Sequence, residues 1–507
     1  MQQYITDYRP LASYAVLAAL GLGVILIDTL IKKDHRAVVC WITAIGAAVA
    51  LGLEWTAPDG SPWQGILVFD AFSRAFNAVF LLTLILVCVG SAAEEPKMRF
   101  AGEYCGLMVF ATIGLMLAAS AGGLLALYIG VDLATICLFA LVGFAKRERR
   151  SAEAALKMFV IGGVASAVTL YGASLVYGVL GTTQYAGMAQ ALSGVSGLGA
   201  QVALWLGLVL VVGGLAFKVS AVPFHLWAPD VYEGAPTTVS AFLSTASKAG
   251  GFAALLRLLL MGLPSLGDRW AALVVLLAAL SMVLGNLVAI CQSNLKRLLA
   301  YSGIAQAGYI LVAVAGEANA TNGYGVSSVF LYLLLYAFTN VGGFLIVQAV
   351  ADATGSDRIA ALRGLHRRNP ALAFSMLVVL FSLGGIPPLA GFVGKLYLFA
   401  AGWSGGQYGL VLLGAITSVI ALYYYLLVAL AVYIQDPPDD RRLRVSSPLG
   451  FSIAFCVLLT IVIGVYPRPW VQIGQRAAEA VSRPLPTNRQ AERPPIEARL
   501  AEGTPQP

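Results

Sequence analysis

Charge is scarce in this chain. Only 11% of its 507 residues are Asp, Glu, Lys or Arg, against roughly 25% in soluble globular proteins, which excludes a water-solvated domain. Cysteine is thin and dispersed. Cys40, Cys88, Cys105, Cys137, Cys291 and Cys456 include no CxxC pair, so neither an iron-sulphur nor a structural zinc ligand set is present and the thiols read as small core fillers. His35, His225 and His366 are too scattered for a metal site. Gly162-Gly163, Gly213-Gly214 and Gly342-Gly343 follow no soluble strand, so they suit close helix packing and not nucleotide binding. The short alternating segments of a β-barrel are missing. Met1-Gln2-Gln3-Tyr4 lacks the basic stretch of a secretory signal, and the first apolar run, ending near Asp28, Lys32 and Lys33, reads as a retained helix.

What the chain has in abundance is apolar length. The residues AVILMFWYC make up 59% of it, and its mean hydropathy is +0.82. Runs of about 20 residues, each able to cross ~30 Å of hydrocarbon at ~1.5 Å per residue, fall at 11–31, 36–54, 70–91, 103–120, 121–143, 155–180, 201–222, 238–262, 271–291, 297–316, 327–350, 374–402, 408–434 and 449–467. These predict an all-α polytopic membrane protein with 14 transmembrane helices.

The connections between runs carry a one-sided charge. Alternate loops hold Lys32, Lys33, Arg36, Lys97, Arg99, Lys146, Arg147, Arg149, Arg150, Lys296, Arg297, Arg358, Arg363, Arg367, Arg368, Arg441, Arg442 and Arg444. The other side, before the tail, has Arg9, Arg269 and Arg468. Basic loops stay inside, which places both chain ends outside. The net charge of +7 is therefore a topology signal, and nucleic-acid binding is not needed to explain it. After Trp470, Ser482-Arg483-Pro484-Leu485-Pro486 and Arg493-Pro494-Pro495 interrupt any helix, so a mobile tail is expected over 471–507.

Five charges stand where lipid is expected: Asp132, Lys157, Lys218, Lys248 and Lys395. A lysine at the bilayer centre costs about 2.5–3.5 kcal/mol on insertion scales, so these residues should face one another or water inside the bundle. Snorkelling to the interface is the alternative, strongest at Lys157 and Lys218. Arg74 and Arg257 read as anchors at helix ends. An acid facing lysines can hold a neighbouring amine charged, and such a set can pass protons in steps.

Two of the runs are interrupted. Val222-Pro223-Phe224-His225 follows Lys218, and Gly384-Gly385-Ile386-Pro387-Pro388 precedes Lys395. Proline removes a backbone donor, and the carbonyls it frees need protein or water partners in hydrocarbon. Broken helices beside buried charges are a common way to build an ion path. The breaks fall in helices 7 and 12, and this odd offset predicts two inverted five-helix repeats, 4–8 and 9–13. His225, at the first break, suits either a proton relay or support of the break.

Three stretches resemble a known family. Val222-Pro223-Phe224-His225-Leu226-Trp227-Ala228-Pro229-Asp230-Val231-Tyr232-Glu233-Gly234-Ala235-Pro236-Thr237, Gln292 through Tyr309, and Leu383 through Lys395 are similar to the antiporter-like subunits of proton-pumping NADH:quinone oxidoreductase, respiratory complex I. With Glu153–Lys157 the resemblance covers about 125 to 400. The chain looks most like the N subunit: Lys395 stands where the M subunit usually has glutamate, and no long lateral helix follows as in L.

The resemblance implies proton translocation through a hydrated axis, coupled to quinone reduction elsewhere in the complex. It assigns catalytic roles to Asp132, Lys157, Lys218, Lys248 and Lys395, beside His225. Asp132 replaces the family's usual glutamate, so its partner should be closer or water-mediated, with Lys218 expected and Lys157 a competitor. The chain itself is expected to hold no cofactor or metal; NAD(H), FMN, Fe-S clusters and quinone belong to partner subunits. Other membrane subunits flank it on both sides, lipid surrounds it, and no nucleic acid or soluble substrate is expected. The implied location is the bacterial inner membrane, with both termini on the periplasmic side. The expected division is 1–100 (three helices), 101–262 and 263–434 (the repeats), 435–470 (helix 14) and the tail 471–507. A multisubunit cation/proton antiporter subunit and a non-pumping structural subunit are the alternatives.

Overall fold

The computed structural model describes residues 8–31, 37–92, 100–320, 322–437, 439 and 441–482. Lys32, Lys33, His35, Arg36, Lys97, Arg99 and the prolines beyond Ser482 lie outside them. The described chain is helical, and only isolated β-bridges occur between its loops. In order it forms α1 (Ala12–Leu30), α2 (Ala37–Thr56), α3 (Ala71–Ser91), α4 (Ala101–Ala119), α5 (Leu124–Val142), α6 (Arg149–Leu180), α7a (Leu198–Val219) and α7b (Trp227–Gly234). Next come α8 (Thr237–Gly262), α9 (Gly267–Ile290), α10 (Leu295–Ala320) and α11 (Tyr324–Thr354). The series closes with α12a (Pro370–Gly384), α12b (Ala390–Ser404), α13 (Tyr408–Tyr433), α14 (Ser447–Val465) and α15 (Arg468–Ser482).

Among the described residues, 13 helices are long and apolar enough to cross a membrane. The run expected over 374–402 is instead two helices of 15 residues each, α12a and α12b. The nearly continuous stretch at Ala121-Gly122-Gly123 does divide, between Ala119 and Leu124. Helix α6 starts at Arg149, earlier than its apolar run, because its first two turns are charged and lie against α7b.

Helices α8, α10 and α11 are enclosed almost entirely by the others, whereas α1, α2 and α6 expose broad apolar faces. That contrast is what a bundle in lipid requires, since nothing distinguishes lipid tails from a leucine core. Small residues let α4 and α5 approach closely. A Cβ added at Gly114 would sit 2.5 Å from Ala134 N, and one at Gly130 would sit 2.5 Å from Ala118 N. Helices α9 and α10 cross in the same way, with Gly285 against Ala305 N and Gly308 against Met282 N. Cys40 and Cys105, far apart in sequence, meet in the core with their sulphurs 3.7 Å apart.

Two expectations need correction. The tail does not lose its helix at Trp470: α15 packs on α11 and α3, burying Ala477, Ala478 and Val481. Its apolar residues recur at helical spacing, and the prolines that would break it begin only at Pro484. Arg257 is not an interfacial anchor. It is wholly buried, bidentate on Asp70 (Nη2 to Oδ1 2.7 Å, Nη1 to Oδ2 2.9 Å), and also donates to Ala119 O at 2.9 Å and Val68 O at 3.3 Å. Asp70 at the same time caps α3 through Ser73 N, 2.8 Å. The pair thus pins the end of α8 to the start of α3 and the end of α4. Arg74, by contrast, pairs with the exposed Asp59 at a helix end, as expected.

Removing one partner of a buried ion pair costs about 3–5 kcal/mol, because the other is left as an unpaired charge. Arg257→Met should therefore deplete the subunit from assembled complexes and lower their unfolding temperature. Asp70→Asn combined with Arg257→Met should recover part of the loss. Native gels and thermal unfolding of the purified complex measure both.

Candidate functional site

At the α7 break several of the freed backbone groups find partners nearby. Ser220 adopts a left-handed conformation (φ 61°) and ends α7a. Its N–H and the Trp227 indole N–H both donate to Phe217 O, at 3.0 and 3.1 Å, while Ala221 N–H takes Ala216 O at 2.8 Å. Val222 N–H is received by Ser281 Oγ of α9 at 2.9 Å. The α12 break is closed by one side chain from α10 and one from α12b. Leu383 O accepts from Gln306 Nε2 at 3.2 Å, and Gly384 O from Lys395 Nζ at 3.2 Å. Gly391 packs so tightly on Ser382 that a Cβ would lie 1.8 Å from its carbonyl oxygen. Each break thus stands beside a lysine of the candidate set.

Three of the four lysines are core residues. Lys218, Lys248 and Lys395 are 4%, 1% and 5% exposed, too enclosed for an amine that snorkels to water. Each meets a neutral oxygen: Lys218 donates to Thr135 Oγ1 (2.8 Å), Lys248 to Gly303 O (2.5 Å), and Lys395 to Gly384 O. Lys248 and Lys395 also lie over the rings of Tyr336 and Tyr309, at 5.6 and 4.9 Å from the centroids.

Asp132 makes no ion pair among the described residues; it accepts from Ser166 Oγ of α6. Thr135, one turn along α5 from Asp132, is the residue that holds Lys218. A cavity of about 20 Å³ is lined by Thr135, Ser166 (which donates to Asp132) and Lys218 among others, room for about one water. His225 is buried in the α7 break with Nδ1 unpartnered.

Lys157 is elsewhere. Its side chain is 42% exposed and pairs with Asp230 (2.7 Å) and Glu153 (2.8 Å), not with Asp132. Arg297 of α10 joins the same group, on Asp230 at 2.6 Å and Glu233 at 3.0 Å. This cluster ties α6 and α10 to α7b. Sequence reasoning quoted Asp230 and Glu233 within a motif without giving them a part.

It also missed the neutral groups between Lys248 and Lys395, which no charge in an apolar run reveals. Tyr332 donates to Gln306 Oε1, Gln306 approaches Tyr425 Oη at 3.4 Å, and Tyr425 and Ser302 share a hydrogen bond of 2.5 Å.

Partial burial works against ionised Asp230, but Lys157 and Arg297 outweigh it and hold its carboxyl below the ordinary carboxylate range. A depressed acid contributes stability above its ordinary pKa and loses it as pH falls through the lowered value. The cluster should therefore persist on acidification to about pH 5 and loosen only below about pH 4. Asp230→Asn should loosen it at neutral pH, seen as faster amide hydrogen exchange over Trp227–Gly234 in the assembled complex.

With this geometry in view, the relatives are informative. The family described as NADH:quinone oxidoreductase/Mrp antiporter, transmembrane, matches residues 121–421. NADH-quinone oxidoreductase subunit N of Heliobacterium modesticaldum is 41% identical over 480 residues, 94% of this chain and 100% of that protein. Its counterpart in Moorella thermoacetica is 44% identical over 464 residues, 91% and 96% of the two chains. Among solved structures, a chain of respiratory complex I from Thermus thermophilus with bound aureothin superposes with a TM-score of 0.75 at 33% identity, covering 91% of this chain and 98% of that one. A chain of the Mrp complex from Dietzia sp. reaches 0.79 at 22% identity, covering 94% and 97%, a likeness of fold alone. The buried lysines and paired breaks thus sit in a chain that belongs to the NADH:quinone oxidoreductase/Mrp antiporter transmembrane family, in the branch of NADH-quinone oxidoreductase subunit N.

Proposed function

We propose that this chain is a proton-translocating membrane subunit of an NADH:quinone oxidoreductase, moving protons through Asp132, Lys218, Lys248 and Lys395 as quinone is reduced in other subunits. The observation that carries the reading is the set of three enclosed lysines, each facing a neutral oxygen. A lysine locked to a carboxylate is a fixed charge. One facing neutral oxygens can load and unload a proton as charge arrives and leaves nearby. Asp132 would act on Lys218 by way of Ser166 and the water-sized cavity that Ser166, Thr135 and Lys218 line, His225 would serve the α7 break, and Lys157 would act through its cluster with Asp230. NAD(H), FMN, Fe-S clusters and quinone belong to partner subunits in this reading. Those partners flank the exposed apolar faces, with lipid covering the rest.

The same proposal includes fourteen crossings, with α7a/α7b and α12a/α12b each counted as one, and inverted units over 101–262 and 263–434. The three helices of 1–100 precede them and α14, within 435–470, follows. Support comes from the two breaks and from the matching glycine crossings of α4 with α5 and α9 with α10. Charge supports it as well. Arg150 pairs with Glu233, Arg297 with Asp230 and Arg367 with Asp436, and Asn294 bridges Arg358. The basic loops among the described residues thus gather at one end of the bundle, as they would if each broken helix crosses once. That end is inside, in a bacterial inner membrane, and both termini are outside. Reporters after Arg149 and Arg442 should accordingly respond from the inside and a C-terminal reporter from the outside. A C-terminus reporting inside would overturn the count.

Lys248→Met and Lys395→Met keep most of the aliphatic volume and remove the ionisable group. In reconstituted complex both should assemble. Proton uptake and quinone reduction should fall together by roughly tenfold or more, as expected on losing a positioned proton-transfer group. Wild-type turnover and proton/electron ratio in both would make these lysines structural. A gradient that requires sodium would instead favour the cation/proton antiporter reading.

A further inference from the structure

A cavity of about 670 Å³ opens on the Lys/Arg-rich end, bounded by Lys146, Arg150, Thr237, Lys296, Gln348 and Asp352 among others. Its lining includes Lys146, Arg147, Arg150 and Lys296 but also Glu148, Glu233, Asp352 and Asp357. Balanced charge makes it a polar vestibule and not an anion site.

A polar seam leads inward from it between α8 and α11. Thr237 and Gln348 line the cavity. Deeper, Asn340 Nδ2 donates to Ser244 Oγ at 2.7 Å, and deeper still Lys248 Nζ lies over Tyr336. Residue numbers rise along α8 as they fall along α11, so these three levels lie on one antiparallel contact. At ~1.5 Å per residue, Thr237 and Lys248 are about 16 Å apart. Ser244 belongs to a π-helical turn, Leu243–Ser247, directly before Lys248, a local widening that recurs at functional sites.

Donors and acceptors fix how the amide points. Ser244 donates its proton to Ala241 O at 2.9 Å, so its oxygen must accept from Asn340, and the Asn340 amide oxygen faces the other way. That Oδ1 is buried without a partner, and so is Tyr336 Oη one turn away. Lys248 has three protons and directs one to Gly303 O. Unpartnered polar atoms beside an amine are what an ordered water needs. Midway between Asn340 and Gln348 stands Phe344, fully buried, its ring edge-on to Tyr232 of α7b at 6.0 Å.

We infer that this α8/α11 seam is the route by which protons from the Lys/Arg-rich face reach Lys248, with Asn340 positioning the water that delivers them and the Phe344–Tyr232 ring pair as its apolar closure. The inference rests on the proposed function, in which Lys248 is loaded. The proton ends on the free amine of Lys248, while Asn340 and Tyr336 orient water and do not ionise. Because Tyr232 lies on α7b, the closure depends on how the segment after the α7 break is seated against α11.

The test uses assembled complex in vesicles with the Lys/Arg-rich face outward. Gln348→Cys is treated with a charged methanethiosulfonate reagent, with the unsubstituted chain and its exposed Cys291 as background. The thiol at 348 should react, and proton uptake should then fall several-fold. Asn340→Leu should assemble normally yet pump several-fold less at pH 8, with the deficit shrinking as that face is brought to pH 6, because a restricted supply is relieved by more protons and structural damage is not. An unreactive thiol at 348, wild-type pumping after its modification, or a pH-independent deficit in Asn340→Leu would overturn the route. If Lys248→Met pumps normally, the proposed function fails; if it is inactive while the seam variants are unaffected, only the route fails.

Discussion

Hydrocarbon supplies no hydrogen bonds, and the rest of this structure depends on that constraint. Two helices are interrupted inside the bundle, and each interruption frees carbonyls that lipid cannot satisfy. At α7 the local chain does most of the repair, through Trp227 and the turn at Ser220, with Ser281 reaching in from α9. At α12 the local turn, with Gly385 and Ile386 N–H on Phe381 O, is joined by Gln306 from α10. Gln306 and Lys395 take the last two carbonyls of α12a. A lysine that caps a helix end is thereby tied to the geometry of that end, so a shift at the break and a change of charge on the amine act on one another.

The enclosed helices α8, α10 and α11 carry the polar interior, and the peripheral helices separate it from lipid. Tight crossings at Gly114, Gly130, Gly285 and Gly308 hold the pairs α4/α5 and α9/α10 as rigid units. The Asp70–Arg257 pair fixes the far end of α8 against α3 and α4. Segment α7b is held both ways: Trp227, Val231 and Tyr232 are buried against its neighbours, Gly234 lies tight on Arg150 O of α6, and ion pairs from Lys157 and Arg297 fix its charged face.

Hydropathy made the spanning helices legible, because each must carry its own apolar length. Proline and glycine made the breaks legible for a similar reason: the backbone chemistry that stops a helix is local. Lys218, Lys248 and Lys395 stood out because charge in an apolar run has few explanations. Lys157 also lies in an apolar run, with snorkelling as its alternative. Only the structure showed its partner, Asp230, 73 residues on. Arg257 was misread as an anchor because its partner is 187 residues away, and α15 was missed because its apolar face is short and merges with a proline-rich tail.

Sequence by itself determined that the chain is a bundle of membrane-crossing helices, where two of them break, and that Lys218, Lys248 and Lys395 must be sheltered, since each follows from the cost of polar atoms in lipid, paid residue by residue. Tertiary structure decided what shelters them. Thr135 and Ser166 beside Asp132, Gln306 and the tyrosines between Lys248 and Lys395, and Asn340 on Ser244 are neutral side chains in apolar runs, with no local mark of their partners. Hydrogen bonding is a matter of distance and direction between helices far apart in the chain, and no pattern along one helix contains it.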